Sequence, residues 1–147
     1  MNIKILDTAL IQFFRRISLP AARLALFVVF FWFGILKVFG LSPASELVQQ
    51  LFKQTIPIMP FSLFIILFGL FEMLIGLLFL IKGCERAVMP LLFLHIIATF
   101  LPLILLPSET WSGFLVPTLE GQYIIKNLVL AAVAFGIAAN ILPLARR

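Results

Sequence analysis

Five side chains are polar where nearly everything around them is apolar: Lys37, Glu72, His95, Lys126 and Asn127. An ionisable group at mid-bilayer costs on the order of 2.5–3.5 kcal/mol to insert, so each needs a partner or a task. Glu72 lies near the centre of the apolar block Phe61–Ile81, and its stem is too short to snorkel out. Gly69, Glu72, Met73 and Gly76 share one stripe at helical spacing, and small residues mark helix–helix interfaces. Glu72 is therefore expected to face the interior of a bundle. His95 stands at similar depth in the next block, on a face with Leu91, Ala98, Thr99 and Pro102. Lys126 and Asn127 follow the start of the last block, and Lys37 closes the first at comparable depth.

A carboxylate and an imidazole near the midplane can relay protons. Two lysines opposite one carboxylate leave a positive surplus, able to receive an anion, a polarised carbonyl or a quinone oxygen, with Glu120 at the mouth of such a pocket. The competing account is a buried ion pair that holds helices in register, and breaking one costs about 3–5 kcal/mol. Which lysine pairs with Glu72 is open at this level. His95 is the only histidine and Cys84 the only cysteine. That excludes bis-histidine haem, an internal disulfide and a C-x-x-C pair, and no metal is expected. Cys84 reads as a small apolar residue buried near a helix end.

The elements that must position these groups follow from composition. Of 147 residues, 63% are hydrophobic and 12% charged, and mean hydropathy is +1.21. Soluble chains are about 45–50% apolar and about 25% charged, so disorder, a nucleic-acid module and an ordinary cytosolic enzyme are excluded. Apolar blocks at Ala22–Phe39, Phe61–Ile81, Ala87–Leu106 and Gln122–Ile141 each approach the roughly 20 residues a transmembrane helix requires. The expected fold is all-α: one integral membrane domain over 1–147, a four-helix bundle. Pro102 is placed to kink the third span.

Two further segments have helical period. Ile3, Leu6, Leu10, Phe13 and Ile17 share a face, while Lys4, Gln12, Arg15 and Arg16 point elsewhere. This predicts an interfacial helix over 1–19 on the inner leaflet, with Lys4, Arg15 and Arg16 meeting anionic lipid or a soluble partner. Between the first two spans, Ser42 can cap and Pro43 open a short external helix ended by Pro57 and Pro60. The net charge of +5 comes from basic residues beside the spans. Lys4, Arg15, Arg16, Arg23, Lys82, Arg86, Arg146 and Arg147 fall on one side against Lys53 on the other. Both termini are thus expected in the cytoplasm, and Pro107–Gly121 is expected as an external loop, with Trp111 and Tyr123 at the outer interface.

The segments Phe31-Trp-Phe-Gly-Ile-Leu-Lys37, Gly69-Leu-Phe-Glu72-Met-Leu-Ile-Gly76 and Glu120-Gly-Gln-Tyr-Ile-Ile-Lys126-Asn127 together resemble the DoxX family. The resemblance covers about residues 22–141. It implies a four-helix protein of the bacterial inner membrane, related to a small subunit of a thiosulfate:quinone oxidoreductase and to oxidative-stress membrane complexes. By that likeness Lys37, Glu72, Lys126 and Asn127 are its site residues; His95 maps to no family motif. The expected function is the membrane subunit of a redox-linked system that binds a quinone or small anion. No redox centre is encoded, so electrons must come from a partner or pass through the ligand, and the chain alone is not expected to be an enzyme. A small proton-coupled transporter, acting as a homo-oligomer, and a non-catalytic scaffold are the alternatives.

Overall fold

The computed structural model describes residues 3–56 and 58–141; Pro57, Arg146 and Arg147 lie outside them. In chain order the elements are α1 (Ile3–Val38), α2 (Ser45–Thr55), α3 (Phe61–Leu80), α4 (Glu85–Phe100), α5 (Pro102–Leu105), α6 (Pro107–Thr110), β1 (Trp111–Gly113), β2 (Val116–Pro117) and α7 (Leu119–Ala138). Four stretches are long and apolar enough to cross a membrane: Ile3–Val38, Phe61–Leu80, Glu85–Leu105 and Leu119–Ala138. They pack as a bundle in which α1 lies against α3 and α7, and α4 against α3 and α7.

The expected division between an interfacial helix over 1–19 and a span from Ala22 is corrected: α1 is one helix of 36 residues with Pro20 inside it. Proline's φ suits a helix, and its missing N–H costs a single ladder bond, which does not outweigh the bonds on either side. At 1.5 Å per residue α1 is about 54 Å long, well beyond a hydrocarbon core of about 30 Å. Residues 3–18 are all exposed, so the first half of α1 projects past the bundle.

The expected capping by Ser42 and Pro43 is also corrected. α2 begins at Ser45, and Ala44 precedes it without a side-chain cap. The Ser42 carbonyl instead accepts from the Ser45 N–H, closing a turn that spends Pro43 and Ala44 before the helix starts. Phe52, the one buried residue of α2, anchors it on Phe64 and Phe61, with ring centroids 4.7 and 5.7 Å apart.

Pro102 does interrupt the third span, between α4 and α5, because it has no N–H for the carbonyl of Ala98. The 107–121 segment is more ordered than a plain loop. It holds α6 and an antiparallel hairpin of β1 and β2, with Leu115 at φ 57° in the tip. Trp111 Nε1–H donates to the Leu103 carbonyl at 3.0 Å, and the Thr110 hydroxyl donates to Leu106. Thr118 then caps α7 by accepting from the Gly121 N–H.

The bundle is layered along its length. Leu26 and Phe30 of α1, Ile75 and Phe79 of α3, Val88 and Leu92 of α4, and Ala134 and Ile137 of α7 form the apolar core. A polar layer containing Lys37, Glu72 and His95 lies on the α2 and hairpin side of that core. An Arg23–Glu85 ion pair closes the opposite end.

Candidate functional site: a buried Lys–Glu–His triad

Two antiparallel helices make the site possible by touching through their backbones. A β-carbon on Gly34 would stand 2.5 Å from the Gly69 carbonyl oxygen, and one on Gly76 would stand 3.1 Å from the Phe27 carbonyl oxygen. The absence of side chains on this seam draws α1 and α3 together. Lys37 follows Gly34 by one turn, Glu72 follows Gly69 by one turn, and the lysine stem bends toward the carboxylate.

Glu72 is the centre of the arrangement. Lys37 Nζ donates to its Oε2 at 2.6 Å, and His95 Nε2 meets its Oε1 at 2.8 Å. All three residues are buried: Lys37 6%, Glu72 4% and His95 5% exposed. Such burial is sustainable because each charge has an opposite charge or a hydrogen bond in contact. Lys37 also sits over the Phe68 ring, 5.5 Å from its centroid, where the ring face attracts a cation.

His95 is held by aromatic rings. Phe68 stacks on it in parallel at 5.5 Å and Phe30 presents to it nearly perpendicularly at 5.1 Å. Phe68 stacks in turn on Phe64 at 5.8 Å, and Phe64 meets Phe52 on α2 in a tilted contact at 4.7 Å. A ladder of ring faces thus leads from the surface helix α2 to the buried imidazole. At the imidazole's other edge, Nδ1 is buried with no hydrogen-bond partner among the described residues. With Nε2–H donating to the carboxylate, Nδ1 carries a bare lone pair; a doubly protonated ring would instead bury an N–H without an acceptor.

Of the residues expected at the site, the structure brings together Lys37, Glu72 and His95 and leaves the others apart. Lys126 is exposed, with its ammonium 4.7 Å from the centroid of the Tyr123 ring. Asn127 is half-buried and Glu120 exposed. The expected surplus of positive charge on Glu72 is therefore corrected, since one lysine, not two, reaches it. Lys4, Arg15 and Arg16 are exposed on the projecting half of α1. Cys84 is half-buried, directly before α4. Among the described residues, no group of three or more His, Cys, Asp and Glu side chains is placed to hold a metal ion.

One pairing escaped the sequence reading. Arg23, expected as one of the basic residues that set orientation, donates from Nη1 to the Phe79 carbonyl at 3.1 Å and from Nη2 to Glu85. The available signal was depth: Arg23 opens the first span and Glu85 the third, and two helices running the same way bring those positions level.

No protein-family model, no curated protein and no solved structure matches the chain.

Proposed function

We propose that this chain is a ligand-binding, proton-exchanging subunit of a redox-linked system in the bacterial inner membrane, with both termini cytoplasmic. Its ligand would be a neutral, ring-bearing lipophilic molecule of the quinone and quinol class. The observation that carries this reading is the buried Nδ1 of His95, which has no partner among the described residues. An unsatisfied buried acceptor costs on the order of 1–3 kcal/mol, and a hydroxyl arriving on a ligand would remove that cost. A proton received at Nδ1 can be matched by transfer of the Nε2 proton to Glu72, which is already in hydrogen-bond contact.

Charge favours a neutral ligand over the small anion that the sequence also suggested, because Lys37 is spent on Glu72. The Phe52–Phe64–Phe68 ladder offers stacking faces to a flat ring. Resemblance to the DoxX family points the same way. Electrons would be exchanged with a partner protein, for which the exposed basic half of α1 is the natural meeting place. A transporter reading is weaker, since a carboxylate held by a lysine and an imidazole is poorly free to exchange a cation.

A scaffold held together by the triad is the second reading, favoured by the occupation of both Glu72 oxygens. The two separate in one experiment. Wild type, Glu72→Gln and His95→Phe are purified in mild detergent, checked for folding, extracted with organic solvent and compared by mass spectrometry. A quinone-class molecule stoichiometric with wild type and lost from folded His95→Phe supports the ligand site. Ordinary phospholipid alone in all three leaves the scaffold.

A further inference from the structure

At the end of the bundle remote from the triad, a cleft of about 230 Å³ opens between Leu19, Arg23, Gly83, Glu85, Ile137 and Asn140, with Ile141 at its edge. Its polar side is the Arg23–Glu85 pair, whose side chains are only 12% and 14% exposed. Neither partner is saturated by the other. Among the described residues, the guanidinium uses one N–H of Nη1 on Phe79 and one of Nη2 on Glu85, leaving further donors, Nε–H included. Glu85 accepts from Arg23 and from the Gly83 N–H at 2.8 Å, and each oxygen retains a lone pair. The Asn140 amide donates to the Gly136 carbonyl at 2.8 Å, which leaves its oxygen as an acceptor. The remaining walls, Leu19, Ile137 and Ile141, are apolar.

A cation and an anion side by side discriminate among ligands. A simple anion would meet the Glu85 carboxylate, and a simple cation would meet Arg23. A molecule carrying both charges at short separation complements both. We propose that this cleft binds a phosphoethanolamine group, its phosphate on the spare Arg23 donors and its ammonium between Glu85 and the Asn140 oxygen. Glu85 opens the third span and Arg23 stands level with it at the end of the bundle, so the cleft is placed where lipid headgroups would lie, and its apolar walls suit the glycerol and upper acyl chain of a phospholipid. The same chemistry could arrive as the free soluble ester. This site is independent of the triad and of the function proposed for it.

The test is native mass spectrometry of the full chain in detergent, with phosphatidylethanolamine, phosphatidylglycerol or free O-phosphoethanolamine added at equal concentration. Wild type should retain phosphatidylethanolamine roughly tenfold better than phosphatidylglycerol, the equivalent of one charge-assisted hydrogen bond. Glu85→Gln should abolish that preference while keeping phosphatidylglycerol, and Arg23→Gln should lose both lipids. Should either variant fail to fold, Asn140→Trp fills the exposed rim without touching the ion pair and should itself expel phosphatidylethanolamine. Retention of the free ester as strong as that of the lipid supports the chemistry and makes the soluble ester the ligand; retention of the lipid alone makes it the lipid. Equal retention of the two lipids by wild type, or a preference that survives both Glu85→Gln and Asn140→Trp, overturns the proposal.

Discussion

Gly34 and Gly69 hold α1 and α3 in backbone contact: a β-carbon on either would stand 2.5 or 2.6 Å from the carbonyl oxygen of the other. Backbone cannot swing aside as a flexible side chain can. The buried Lys37–Glu72 bond, one turn from each glycine, depends on that spacing.

Gly69→Ala should therefore separate the helices and cost about 1–3 kcal/mol, as overpacking does. Gly136, with no described atom within 4 Å of its would-be β-carbon, is the control. There alanine should be neutral or gain roughly 0.5–1 kcal/mol in helix propensity. Unfolding of both variants in one detergent decides the matter, and equal losses would refute the close approach.

Removing one member of the buried pair leaves a charge without its partner. Glu72→Leu alone should lose about 3–5 kcal/mol, and adding Lys37→Met should recover most of it. Lys126→Met, at an exposed position over Tyr123, should stay within about 0.5 kcal/mol of wild type. A larger effect at Lys126 than at Lys37 would reverse the pairing described here.

Phe52 is the single buried side chain of α2. Truncating it to alanine should release that helix without unfolding the bundle. Hydrogen exchange should then accelerate across Ser45–Thr55, while α3 stays protected. Under the ligand reading, Phe52→Ala should also lower retention of the ring-bearing molecule, since it removes the outermost face of the ladder.

The hairpin end is pinned at Gly121, where a β-carbon would collide with the Thr110 carbonyl oxygen. Gly121→Ala should push α6 away from α7 and disturb the Trp111 Nε1–H bond to Leu103. In a Trp32→Phe background the remaining tryptophan emission should shift. An unchanged spectrum in a folded variant would contradict this packing.

Both termini are proposed to face the cytoplasm. Fusions of a fluorescent protein at either end should therefore glow, whereas alkaline phosphatase there should be inactive and become active when inserted after Phe114. The opposite pattern would invert the bundle in the membrane.

Much of this was legible along the chain, because period and hydropathy are local properties. Four apolar blocks, the short helix after the first, and the burial of Glu72 beside Gly69 and Gly76 follow from residue types at helical spacing. Helix continuity through Pro20 was not legible, since one lost hydrogen bond looks like a stop until the ladder on both sides is counted. The choice of Lys37 over Lys126 as partner of Glu72 was not legible either. Both lysines have the reach; the Gly34–Gly69 contact brings α1 in close, while Lys126 turns outward onto Tyr123. The Arg23–Glu85 pair, the aromatic ladder and the bare Nδ1 of His95 likewise depend on distances between helices far apart in sequence. Sequence determines which faces must be buried, because burial follows from side-chain chemistry. Tertiary structure decides which buried groups meet, because that depends on how closely particular backbones can approach.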